Sequence, residues 1–232
     1  MRNDLLFGVF PYVAVGLLAV VPVVRLASPE ARRKTLPAAL RDSGNLYFGS
    51  LAWRLGVGFV LLGHLLGLTL PNQPSLWRAL PGGSTTLQAA AFGLGLLALA
   101  GWATLVVERF RPARVLPRLT LLASVLSAID TLFLTLLALA IGSGLVMTFA
   151  YHLGSAWYSV TLAPYLRSIL RLAPDIELVA DLPPIVKLHL LSAIATVAVL
   201  PFTALGPVLV WPWIALKRSL FALAGPRTDP AA

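Results

Sequence analysis

The chain is 232 residues long, with 58% hydrophobic and only 12% charged residues. A soluble domain carries about 25% charged residues, so this composition excludes an ordinary soluble enzyme and indicates an integral membrane protein with several spans. The formal charge of +9 comes from basic residues clustered between apolar runs, which fits the positive-inside bias of membrane proteins better than a nucleic-acid partner. Cysteine is absent, which excludes a disulfide, a thiolate metal site and a cysteine-ligated iron–sulfur cluster within this chain. The first apolar run begins at Leu5 after one Arg and one Asp, and no small-residue cleavage site clearly ends it. A cleaved signal peptide is therefore not expected.

A helix needs about 20 apolar residues to cross a bilayer. By that measure the sequence predicts spans over residues 5–24, 51–70, 87–107, 119–142 and 184–215. The last is long enough to require tilt or a kink, for which Pro201, Pro207 and Pro212 supply places. Gly82, Gly83 and Ser84 read as a short loop before the third span. Asp130 is the one acid placed inside a span; it either pairs within the bundle or belongs to a proton path.

Residues 141–184 are harder to place. Trp157, Tyr158, Leu162, Tyr165, Leu166 and Ile169 recur at helical spacing, and Arg167 and Arg171 follow. This reads as an amphipathic helix on the membrane surface, over residues 155–171. A sixth span is the alternative, because residues 131–166 contain no charge.

Loop charge supports five spans. Thirteen of the eighteen basic residues fall on one side, between the first and second spans, between the third and fourth, and after the fifth. That side is expected to be cytoplasmic, with the N-terminus outside and the C-terminus inside. The architecture is thus an all-α bundle of five transmembrane helices in the cell inner membrane.

His64 and His189 each lie inside an apolar run, close to the end expected to face the outer side. Lipid offers an imidazole no water, so such a residue is a functional hypothesis by default. Two at one depth on different helices suggest a shared ligand, and the commonest is a haem held axially by both, with each ring fixed by a hydrogen bond from its second nitrogen. Gly63 and Gly67 flank His64 and leave room for a flat macrocycle, although small residues also serve plain helix packing. A zinc or proton-relay role is the competing use, but no carboxylate sits within a turn of either histidine. His152, the third histidine, is expected at the outer surface as a solvated or capping residue, and is the reserve ligand should the spans be arranged otherwise.

These residues resemble the gamma subunit of respiratory nitrate reductase, a five-span cytochrome b, over nearly the whole chain and in order. The resemblance rests on Phe10, Pro11, Tyr12, Val13 and Ala14 at the start of the first span and Arg25 at its end. Gly44, Asn45 and Leu46 precede the second span, which contains Gly63, His64, Leu65, Leu66 and Gly67. Arg109, Phe110, Arg114 and Val115 occupy the loop after the third span. Lys187, Leu188, His189 and Leu190 open the fifth, with Pro201 and Phe202 downstream.

The resemblance implies an electron-transfer subunit without a nitrate-reducing site of its own. Quinol is the implied electron donor, and a molybdenum-containing catalytic subunit and an iron–sulfur subunit are the implied partners. Members typically hold two b haems. The outer one uses histidines at the positions of His64 and His189. The inner one uses histidines at positions occupied here by Arg54 and Pro207. Neither residue can serve as such a ligand, so one haem is expected. Ten helical positions separate Arg54 from His64, or about 15 Å of depth. The lysine that the family uses for quinol near the third span corresponds approximately to Thr86. The arginines of the inner loops are expected to meet lipid headgroups or a partner's surface. One alternative is a monohaem anchor for another oxidoreductase, acting on a sulfur compound or a heterodisulfide. A haem-free transporter or assembly protein is the other, although five spans do not divide into two halves and no repeat is visible.

Overall fold

The computed structural model describes residues 3–27, 50–69, 83–110, 121–151, 161–203, 205, 206 and 209. Its elements are a π-helical turn Asp4–Val9 leading into α1 (Phe10–Ala27), then α2 (Leu51–Thr69), α3 (Gly83–Phe110) and α4 (Leu121–Ala150). Three shorter helices follow: α5 (Ala163–Leu170), α6 (Glu177–Ala180) and α7 (Pro184–Val199), the last closing in a 3-10 turn, Leu200–Phe202. Five of the described helical stretches are long and apolar enough to cross a membrane: Asp4–Arg25, Leu51–Thr69, Thr85–Glu108, Ala128–Ala150 and Pro184–Phe202. The protein is a multi-pass, all-helical membrane protein.

The helices agree with the expected spans except at two ends. The fourth does not stop at residue 142 but continues to Ala150. Gly142, Ser143 and Gly144 do not break it, because Ser143 Oγ donates back to the Leu139 and Ala140 carbonyls and a helix in lipid keeps its backbone bonds for want of any other partner. The fifth helix ends at Val199, not near residue 215. Pro201 has no N–H to continue the ladder, and Thr203 beyond it is extended, with ψ of 175°. Gly83 and Ser84 belong to the first turn of α3 and not to a loop. The surface helix is found at Ala163–Leu170; Trp157 and Tyr158, with which the sequence reading began it, lie outside the described residues, as do Pro207 and Pro212.

Helices in lipid associate by close packing of small residues rather than by a hydrophobic force between them. The pair α2–α3 shows this. A Cβ on Gly56 would fall onto the backbone of Ala98 and Leu97, and one on Gly101 onto the backbone of Trp53. The two backbones therefore touch. Around this contact Trp53, Leu105, Phe133 and Leu134 form a buried cluster, with Val57, Trp102, Val106, Val199, Leu200 and Leu205 packed against it. The indole N–H of Trp102 ties α3 to α4 by donating to the Leu134 carbonyl at 2.9 Å.

A second core lies at the other end of the bundle, under α5. Phe7, Leu162, Tyr165, Ile169, Val179, Leu182, Val186 and Leu190 are buried together. Two tyrosines exchange bonds between α1 and α5: Tyr165 Oη donates to the Phe7 carbonyl at 2.7 Å, and Tyr12 Oη donates to the Ile169 carbonyl at 3.1 Å. The Phe7 and Tyr165 rings also meet edge-on at 6.5 Å and 77°. Burial, reinforced by neighbouring Tyr12, pushes the Tyr165 phenol well above its usual pKa, so it remains a donor throughout the neutral range.

Two measurements check this packing. Gly56→Ala or Gly101→Ala forces two backbones apart and is expected to lower stability by about 1–3 kcal/mol, read as thermal unfolding in detergent, whereas Gly58→Ala, which meets nothing within 4 Å, leaves it unchanged. Tyr165→Phe, which removes a buried hydrogen bond to the Phe7 carbonyl, is expected to cost about 1 kcal/mol in the same assay.

Candidate functional site

His64 lies five residues before the end of α2, and His189 five residues after the start of α7. The two helices run in opposite directions, so the rings arrive at one depth. Their centroids are 6.0 Å apart and their planes differ by 26°. The sequence places these residues at one level; the approach of their rings to 6.0 Å is a property of the fold.

Each ring is fixed through Nδ1. The Nδ1–H of His64 donates to the Val60 carbonyl, one turn back on its own helix, at 2.7 Å. The Nδ1–H of His189 donates to the Ala140 carbonyl of α4 at 2.9 Å. Ser143 Oγ lies 3.3 Å from the same nitrogen. A backbone carbonyl on Nδ1 selects the tautomer whose Nε2 holds a lone pair. Each imidazole thus keeps an unprotonated Nε2.

Small residues shape the surroundings. A Cβ at Gly63 or at Gly142 would meet nothing within 4 Å, so the backbone borders open space on both α2 and α4. Gly144 has a different task, since its Cβ would sit 3.1 Å from His189 Cε1; the missing side chain lets the His189 ring lie against α4. Gly67 lies on α2 just before Leu68, whose carbonyl accepts the Arg167 guanidinium. Ser143 and Gly144 border His189, and Arg167 meets the helix that carries His64; the sequence pattern marks none of these contacts. Ser143 and Gly144 were hidden because the fourth span was ended at residue 142.

The other residues singled out from the sequence do not join this site. Arg54 is exposed near the start of α2, at the opposite end of the bundle. Beside it Trp53 fills the interior together with Phe133, Leu134 and Leu200. Asp130 is buried on α4 and is partnered. Thr86 lies in the first turns of α3. His152 and Pro207 lie outside the described residues. Among the described residues no three His, Asp or Glu side chains converge as a metal-binding group.

Comparison with known proteins identifies a family. The family model described as "Nitrate reductase gamma subunit" matches residues 3–223. The chain is 30% identical over 210 residues to the nitrate reductase-like protein NarX of Mycobacterium tuberculosis, covering 88% of this chain but 31% of that protein. It thus spans about a third of the length of that relative. It is 26% identical over 221 residues to the nitrate reductase gamma chain of Bacillus subtilis, covering 94% of this chain and 96% of that one. The chain belongs to the nitrate reductase gamma subunit family, the membrane cytochrome b subunits of nitrate reductase complexes.

Proposed function

We propose that this chain is the electron-transfer membrane subunit of a nitrate reductase-like complex and that it holds one b haem between His64 and His189. The observation that carries the reading is the pair of facing imidazoles 6.0 Å apart, each anchored at Nδ1 by a backbone carbonyl. An imidazole nitrogen binds a transition metal at about 2.0 Å, so two rings on opposite sides of one metal have centroids about 6 Å apart. A structural zinc site needs four protein ligands. Two histidines suffice when the remaining ligands come from the cofactor, as in a porphyrin. Open space at Gly63 and Gly142 favours a large flat group.

Bound there, the haem supplies a one-electron carrier. The chain's own residues do the rest. Val60 and Ala140 carbonyls orient the imidazoles and raise their basicity as ligands. The apolar helices keep water from the site. The opposite end of the bundle supports a count of one. Trp53, Phe133, Leu134 and Leu200 fill the interior there, and Arg54 cannot replace an axial histidine.

In this reading the histidine end faces outward and the C-terminus lies in the cytoplasm, as the loop charges favour. The complex resides in the cell inner membrane, surrounded by lipid. Quinol is the electron source, and iron–sulfur and molybdenum subunits are the recipients. Thr86, where the family uses a lysine, implies that quinol is held differently from the family pattern.

The test is pyridine-haemochrome analysis of the purified chain. One haem per chain is expected, with loss of at least nine-tenths of it in His64→Ala and in His189→Ala and retention in His152→Ala. A haem-free wild-type preparation from haem-replete cells, or two haems per chain, would overturn the reading.

A further inference from the structure

Arg167 lies on α5, outside the membrane spans, but its side chain reaches α2. Its Nε and Nη2 donate to the Leu68 carbonyl at 3.2 and 3.0 Å. Leu68 is four residues beyond His64, one turn and about 6 Å further along the helix axis. The Thr69 hydroxyl donates to the Leu65 and Leu66 carbonyls in the same turn, at 2.8 and 3.4 Å. The guanidinium therefore rests on the negative end of the α2 dipole, immediately beyond the histidine.

Its helix is firmly seated. Tyr165 and Tyr12 bind α5 to α1, and Ser168 Oγ accepts the Asp175 N–H at 2.9 Å. The neighbouring cations are placed elsewhere. Lys187 Nζ donates to the Ala180 carbonyl at 2.6 Å, and Arg171 is exposed at the end of α5.

A haem has two carboxylates on one edge, and a carboxylate is too costly to leave in hydrocarbon. A haem held between His64 and His189 would lie nearer the end of the bundle where Arg167 sits, and the cost of burying carboxylates would favour turning that edge toward this end. A planar guanidinium suits a carboxylate better than any other side chain. We infer that Arg167 is the positive charge that binds the carboxylate edge of the haem, and that it raises the cofactor's affinity for an electron. A fixed cation in a medium of low dielectric stabilises whichever redox state has the extra electron. This rests on the haem reading above.

The experiment uses the full chain with two readouts, haem content and midpoint potential by optical redox titration. Arg167→Gln is expected to keep haem but to move the midpoint downward. At the wild-type midpoint, its ratio of reduced to oxidised haem should fall by on the order of tenfold. Arg167→Met, which keeps the apolar stem, is a second neutral variant should the first fail to accumulate. Arg167→Lys should restore most of the wild-type potential, because it keeps the charge. Haem dimethyl ester, which has no carboxylate for a guanidinium to bind, tests the contact itself: on reconstitution of the haem-free chain, wild type should hold the ester more weakly than haem, whereas Arg167→Gln should hold the two alike. A neutral variant that retains haem at an unchanged potential would overturn this assignment while leaving the haem reading intact. So would a wild-type chain that holds the ester as tightly as haem. A wild-type chain without haem would overturn both.

Discussion

An imidazole surrounded by hydrocarbon has two nitrogens to satisfy and no water with which to do it, and the histidine end of this bundle is organised around that constraint. The fold solves half of it with backbone carbonyls. His64 uses one from its own helix, so its ring direction follows from α2 alone. His189 uses one from α4, so its ring direction depends on the register of α4 against α7. Gly144 makes that register possible by removing the side chain that would otherwise push the ring away. The remaining nitrogens have no described protein partner, and a Cβ at nearby Gly63 or Gly142 would meet nothing within 4 Å. A ligand that binds both is the economical answer to the other half of the constraint.

The two ends of the bundle differ in kind. At the Trp53 end, indoles, Phe133 and leucines fill the interior, and backbone meets backbone at Gly56 and Gly101. At the histidine end, the core of Phe7, Tyr165 and Ile169 lies under the surface helix, to one side of the imidazoles. In the reading proposed above, the family pattern of two haem levels is matched at one level only. At the other, Arg54 stands where the pattern has a histidine, and side chains fill the neighbouring interior. In the reading proposed here, any path for electrons across that half of the membrane differs from the two-haem arrangement.

Much of this was legible in the sequence. Apolar runs of the right length gave five spans, and helical spacing of Leu162, Tyr165 and Ile169 gave the surface helix. Depth arithmetic along the helices puts His64 and His189 at one level. The errors came from residues whose meaning changes in lipid. Gly142, Ser143 and Gly144 look like a helix end in water, yet the serine hydroxyl and the lack of solvent keep α4 continuous. Pro201 reads as a kink within a long span, but there the α-helix gives way to a 3-10 turn and extended Thr203; Pro207 and Pro212 lie outside the described residues. Contacts between distant residues, such as Arg167 with Leu68 or His189 with Ala140, leave no trace in periodicity. They arise only when helices far apart in sequence are packed together.

The position of α2 follows from where it is held. Gly56 against Ala98, and Trp53 against Gly101, pin its first half to α3 at the closest distance two helices can reach. From residue 61 to 66 every side chain is exposed, Leu61, Leu62, Leu65 and Leu66 among them, so this half is not buried against any other described element. Its far end is caught again at Leu68, by Arg167. His64 therefore sits on a stretch of helix supported at both ends and open between them. That arrangement fixes the ring's depth and direction while leaving room beside it, which is what a large ligand between α2 and α7 requires. Close packing along the whole helix would have closed the gap, and a helix held at one end only would have left the imidazole without a fixed distance to its partner.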